Sequence, residues 1–202
     1  MHDAGPPPLP PVTLGPATKP GRVCFDVQGQ GFAEVSGSPA LEELGQAVEA
    51  LKAAPANNRI VAIEPRTDRA VVSGVVEVLR TASIEPFAVE ERGVGTCGIN
   101  AVMHAAAPEI LACYENEVSK DPELQGSLVV RFAIDRRGGR PLDVVRGENS
   151  TLEHGAASEC ILDAVRALDF PPSPGEGRIL VRYPFIFEMR EVDTADDSTA
   201  GE

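Results

Sequence analysis

Four cysteines, Cys24, Cys97, Cys113 and Cys160, are the residues of this 202-residue chain best suited to covalent or metal chemistry. No two of them are spaced as C-x-x-C, which argues against a thioredoxin-type redox motif and against a zinc ribbon. Cys113 and Cys160, taken with His104 and His154, offer the donor types of a Cys2His2 site, but the spacings are irregular for zinc. A Cys–His nucleophile pair would need an orienting acid and an oxyanion loop, and the sequence suggests neither. Three readings stay open for the sulfurs: disulfides, a thiol-redox or metal-binding pair at Cys113 and Cys160, or buried apolar thiols. An even number of cysteines fits an oxidising compartment without establishing one. Gly93, Gly95 and Gly98 spell G-x-G-x-x-G within GVGTCG. No nucleotide-binding strand–helix–strand unit follows it, so it reads as a hinge. RRGGR at 136–140 reads as a hairpin turn. No cofactor, metal or catalytic constellation is expected, and the chain reads as non-enzymatic.

The bulk properties narrow the partner classes. Eighteen Lys plus Arg against thirty-one Asp plus Glu leave a formal charge of −13. That excess of acid argues against nucleic acid and against anionic lipid as the main partner, because both need surplus cations. No apolar run reaches the length of a spanning helix, so no direct membrane insertion is expected of this chain. Residues 1–21 hold seven of the eighteen prolines and read as a Pro-rich disordered arm. Residues 191–202 carry five acids and no base and read as an acidic disordered tail.

Between these ends, apolar periodicity predicts two sets of elements. Strands are expected at 22–28 and 32–36 around Gly29-Gln30-Gly31. A helix over 39–54 follows, capped by Ser38, then a strand at 59–64. Asp68 can cap a helix with Val72, Val75, Val76 and Leu79 on one face, and a strand at 86–90 closes the set. The second set opens with a helix over 99–119, interrupted or restarted at Pro108. In the strand at 126–135, Leu128, Val130, Phe132 and Ile134 alternate with Ser127, Arg131 and Asp135. A strand at 142–148, a helix capped by Ser150 or Thr151, and a strand at 178–188 complete it. The expected fold class is α+β, with modules at 22–91 and 99–190 joined by a Gly-rich linker at 92–98.

The pieces LEEL (41–44), IVAIEPRTD (60–68) and VVSGVVEVLRTASIEPFAV (71–89) resemble the periplasmic domain of the ExbD/TolR family. The resemblance implies a ββαβαβ module. That family's proton-carrying Asp lies in a membrane helix ahead of the domain and has no counterpart here. Asp26 and Asp68 are therefore expected at turn or cap positions. A second group of pieces comprises PEILACYE (108–115), PELQGSLVVRFAIDRRG (122–138), ENSTLEHGAASECI (148–161), LDFPPSPGEG (168–177) and VRYPFIF (181–187). It resembles the TonB C-terminal domain family, in the variant found in the myxobacterial AgmX/PglI gliding-motility proteins. That resemblance implies an αββαβ module and a Cys113–Cys160 disulfide. It also implies capture of an envelope or outer-membrane protein partner by strand addition at 178–188, with Leu180, Arg182 and Ile186 as contacts. Arg178 and Arg182 lie opposite the Tyr183, Phe185 and Phe187 row and would favour an acidic segment. Pairing of Cys24 with Cys97 and assembly as a homodimer both stay open, and the implied location is the periplasm or cell envelope.

Overall fold

A computed structural model describes residues 11–28, 31–36, 39–152, 155–173 and 175–188. The fold is α+β, with two sheets and a hydrophobic core on each. The first sheet contains β1 (Val12–Pro16), β2 (Arg22–Val27), β3 (Phe32–Ser36), β4 (Ile60–Ile63) and β5 (Ala88–Glu91). Its order is β3-β2-β1-β4-β5, with β1 antiparallel to β2 and parallel to β4.

The expectation of a disordered arm over 1–21 is corrected here, because Val12–Pro16 is the central strand of this sheet. Val12 and Leu14 alternate apolar and are fully buried, and the neighbouring prolines sit at or beyond the strand's ends, where a missing N–H costs least. Residues 1–10 and 189–202 lie outside the described residues, as do Ser38 and Gly29-Gln30 of the expected cap and turn.

Strand alternation divides this sheet's two faces. Val12, Leu14, Val23, Phe25, Val35 and Val61 pack with Leu44, Val48 and Leu51 of the α1 region (helix Gly45–Ala53), and with Val72, Val75 and Leu79 of α2 (Arg69–Thr81). Helix α1 starts later than its periodicity suggests. Residues 40–45 close successive three-residue turns, and the Glu43 carboxylate accepts the Ala40 N–H at 2.9 Å. Helix α2 is capped as expected: the Asp68 side chain accepts the Ala70 N–H at 2.8 Å. Asp68→Ala should therefore cost about 1 kcal/mol. An unchanged urea midpoint would show that this cap contributes nothing.

The opposite face, with Gly15, Cys24, Asp26 and Glu64, receives α3 (Thr96–Ala105). This corrects the linker expected at 92–98. Cys97 and Gly98 are helical and buried, and the segment is anchored on the sheet. Met103 and Ala106, at the helix's far end, belong to the second core. The chain therefore passes from the first sheet to the second core through a helix that packs on both.

The second sheet has order β7-β6-β8, all antiparallel: β6 (Gly126–Asp135), β7 (Leu142–Arg146) and β8 (Arg178–Phe187). Leu128, Val130, Phe132 and Ile134 face α4 (Ala107–Val118) and α5 (Gly155–Arg166) across a core that includes Ile110, Tyr114, Ile161, Val165 and Phe170. Pro108 sits in the first turn of α4, where its missing N–H has no intrahelical partner to lose. Ser150 and Thr151 do not cap α5. Ser150 Oγ accepts the Val129 N–H at 3.0 Å and Thr151 Oγ1 accepts the Ser127 N–H at 2.9 Å, so they bind the loop to β6. The RRGG turn forms as expected. Gly138 and Gly139 take φ of +83° and +99°, and a Cβ on Gly138 would lie 2.9 Å from the Phe170 carbonyl.

Candidate functional site

Among the described residues, the 178–188 segment forms a ten-residue strand paired on one side only, with β6. Its inner residues Ile179, Val181, Tyr183 and Phe185 pack on the second core, and Phe187 stacks on Tyr114 with ring centroids 4.4 Å apart. Its outer residues point away from that core. Leu180 is 84% exposed and Ile186 68%, unusual values for large aliphatic side chains on a regular strand.

The direction of the strand's free backbone groups follows from β6. The Val129 N–H donates to Ser150 Oγ and not to β8, and Val129 O accepts the Gly147 N–H at 2.7 Å. The Ser127 carbonyl likewise accepts N–H groups from Thr151 and Leu152. Odd-numbered residues of β6 thus direct their backbone toward β7, and even-numbered ones toward β8. Val129 lies opposite Pro184, so Pro184 occupies a position whose backbone faces outward. By strand alternation the N–H groups of Leu180, Arg182 and Ile186 face the same open edge. The three residues expected as contacts are brought together there.

The outer face carries charges of both signs, with Asp135 directly opposite Arg178 and two arginines opposed at its centre. Arg131 of β6 lies directly opposite Arg182, and Val145, 49% exposed, lies beside Arg131 on β7. Like charges opposed across a ladder repel, and an acid placed between them would relieve that repulsion. Arg178 forms an exposed ion pair with Asp143 at 3.5 Å.

The cysteines form two bridges, Cys24–Cys97 and Cys113–Cys160, with Cα separations of 5.8 and 5.6 Å. The first joins β2 to α3 and the second joins α4 to α5. A nucleophilic or metal-binding role needs thiolates, and in this state all four sulfurs are engaged. Among the described residues no group of His, Cys, Asp and Glu could hold a metal ion; His154 lies outside them.

One further group stands out on the first sheet. Glu64 follows β4 and is only 2% exposed. Its Oε2 accepts the Gly98 N–H at 2.6 Å, in the first turn of α3. The surroundings are fitted to the carboxyl. A Cβ on Gly15 would stand 2.7 Å from Oε2, one on Gly98 2.8 Å from Oε2, and one on Gly95 2.6 Å from Oε1. Burial raises the Glu64 pKa from 4.5 to about 7, opposed by the amides of Gly98, Gly95 and Cys97 and aided by the nearby Asp26 charge. Asp26 does not serve a turn, as expected above. It is buried within β2 on the same face as Glu64.

No family model, curated protein or solved structure matches this chain. The strand at 178–188 was legible from alternation, whereas its place at an edge was only what the resemblance implied. Glu64 was not singled out, although an acid inside the apolar run IVAIE, with three glycines at 93, 95 and 98, carries the signal. The spelling read as a hinge is a helix N-terminus whose small residues make room for a buried carboxyl.

Proposed function

We propose that this chain is a non-enzymatic cell-envelope protein of the TonB/Tol-type energy-transduction or gliding-motility class. It captures an extended segment of a protein partner along the free edge of β8. The observation that carries the reading is the ten-residue edge strand with outward N–H groups at Leu180, Arg182 and Ile186 and two large aliphatic side chains exposed beside them. Open backbone groups supply affinity in strand addition, and alternate side chains supply selectivity. Arg131 and Arg182, opposed across the ladder, favour a segment carrying acid. The resemblance of the two halves to ExbD/TolR and TonB C-terminal domains supports the class, and two disulfides are compatible with an oxidising location such as the periplasm. No helix among the described residues is long and apolar enough to cross a membrane.

The test uses immobilised heptapeptides alternating Val or Ile with Glu or Thr. Leu180→Pro and Ile186→Pro each delete one outward N–H and should weaken binding about tenfold. Leu180→Ala, which keeps the N–H, should weaken it less. The proline variants should fold, because Pro184 already occupies an equivalent outward position, and circular dichroism checks this. Equal binding by the proline variants and the parent would remove β8 as the capture edge.

A further inference from the structure

The two disulfides differ in what surrounds them. We propose that Cys24–Cys97 is a redox site opened by a dithiol donor, with Cys97 as the leaving sulfur and Glu64 as the group that hands it a proton, while Cys113–Cys160 stays closed. Opening the site releases the start of α3 from the first sheet. The inference is independent of partner capture at β8.

Three observations carry it. Cys97 stands in the first turn of α3, whereas Cys113 and Cys160 lie in mid-helix and Cys24 within a strand. Amides at a helix start stabilise negative charge on a sulfur, and a stabilised thiolate leaves a disulfide faster. Glu64 shares that helix start. The Cβ position that Gly15 lacks lies 2.5 Å from Cys97 Cβ and 2.7 Å from Glu64 Oε2, so sulfur-bearing carbon and carboxyl abut one point. Oε2 accepts the Gly98 N–H, which leaves the proton of the neutral carboxyl to Oε1, buried and without a hydrogen bond among the described residues. Finally, the first core contains no residue of α3, while Cys113 belongs to the second core. The seat of α3 on the sheet is small and polar, made of Gly15, Cys24, Asp26 and Glu64, so the bridge and the Glu64–Gly98 bond hold it without an apolar cluster. Both sulfurs are buried, and the donor reaches them as this turn lifts.

One thiolate of the donor attacks Cys24 Sγ. The S–S bond breaks, and its electron pair goes to Cys97 Sγ, which takes the Glu64 proton. The donor's second thiolate then attacks the donor sulfur of the mixed disulfide. Cys24 leaves and takes a proton from water. The donor is oxidised to a disulfide, the bridge is reduced to two thiols, and Glu64 is left ionised beside Asp26, with one proton released to solvent. The other charged groups on this face are engaged: Glu34 of β3 with Thr18, Arg22 and His104, and Glu90 of β5 with Arg92. Because opening releases a proton, it is favoured by rising pH.

The full chain is brought to equilibrium with reduced and oxidised dithiothreitol, free thiols are alkylated, and each bridge is read by mass spectrometry of its peptides. Cys24–Cys97 should open at a ratio of reduced to oxidised dithiol about tenfold lower than Cys113–Cys160. Between about pH 5.5 and about pH 6.5 that ratio should fall about tenfold in the parent, because dithiothreitol itself exchanges two protons for two and Glu64 adds one. In Glu64→Gln it should stay constant over the same interval. A monothiol, cysteamine, quenched early with acid, should be found on Cys24 with Cys97 as the free thiol. Selective opening should raise hydrogen exchange at the Gly98 amide. Bridges that open together, or Cys113–Cys160 opening first, overturn the proposal. So do equal pH slopes in parent and Glu64→Gln, cysteamine captured on Cys97, or Gly98 exchange that does not change. The selectivity and capture arms use the parent chain alone, so they decide the matter even where Glu64→Gln fails to fold.

Discussion

Replacing Cys113 and Cys160 together with alanine should lower stability by about 4 kcal/mol, and replacing Cys24 and Cys97 by a similar amount. The bridges close sequence separations of 47 and 73 residues. Chain entropy grows only logarithmically with loop length, so the longer loop gains little over the shorter. The loops do not overlap along the chain, and the bridges join different elements, β2 to α3 and α4 to α5, so the two losses should add. Together they amount to about 8 kcal/mol, comparable to the whole stability of an ordinary domain. Urea melts of the two double variants and of the cysteine-free chain measure this directly. A cysteine-free chain with the parental midpoint would show that neither bridge restrains the unfolded state. The Cys24–Cys97 variant carries a second signature. It releases the helix that presents Gly98 to Glu64, so the Glu64 titration should move back toward 4.5.

The second large effect is a pH dependence of stability centred on Glu64. Its carboxyl titrates near 7 in the folded chain against 4.5 unfolded. The folded state therefore holds its proton across that interval, and the unfolded state releases it. The resulting stabilisation is full below about pH 4.5, declines as pH rises, and is lost above about pH 7. A shift of this size corresponds to about 3 kcal/mol. Glu64→Gln removes the charge while keeping a carbonyl oxygen for the Gly98 N–H. The variant should be more stable than the parent at about pH 8 and should match it near pH 4. Subtracting the two stability profiles isolates Glu64 from the exposed carboxylates, which titrate alike in both chains. A difference profile that is flat, or that rises with the opposite sign, would show that Glu64 is solvated or ionised at low pH.

The elements most legible in the sequence were those whose side chains follow one local rule. Leu128 through Ile134 alternate cleanly, and the strand is there. Asp68 precedes an apolar stripe at helical spacing, and the capped helix is there. Misreadings arose where a residue's local preference was used for a non-local purpose. Prolines around Val12–Pro16 suggested an extended tether, yet Val12 and Leu14 in alternation were enough to place a strand between β2 and β4. Glycines at 95 and 98 suggested freedom of rotation, but they are there because any side chain would collide with Glu64. Ser150 and Thr151 have the chemistry of caps and use it on the backbone of β6, a partner more than twenty residues distant in sequence. The β8 strand was readable because its side chains alternate, but alternation alone does not place a strand at an edge. The buried acid was not, because its burial depends on a helix more than thirty residues further along the chain.

The order of the bridges has a consequence for biogenesis. Four cysteines allow three pairings, and this protein uses the one that joins first to second and third to fourth. On a chain delivered N-terminus first into an oxidising space, Cys24 meets Cys97 before either later sulfur has arrived. Cys113 then finds Cys160 as its sole unpaired mate. Oxidation in the order of emergence therefore yields the native connectivity without any step that breaks a wrong bond, so the chain makes no demand on a reshuffling catalyst.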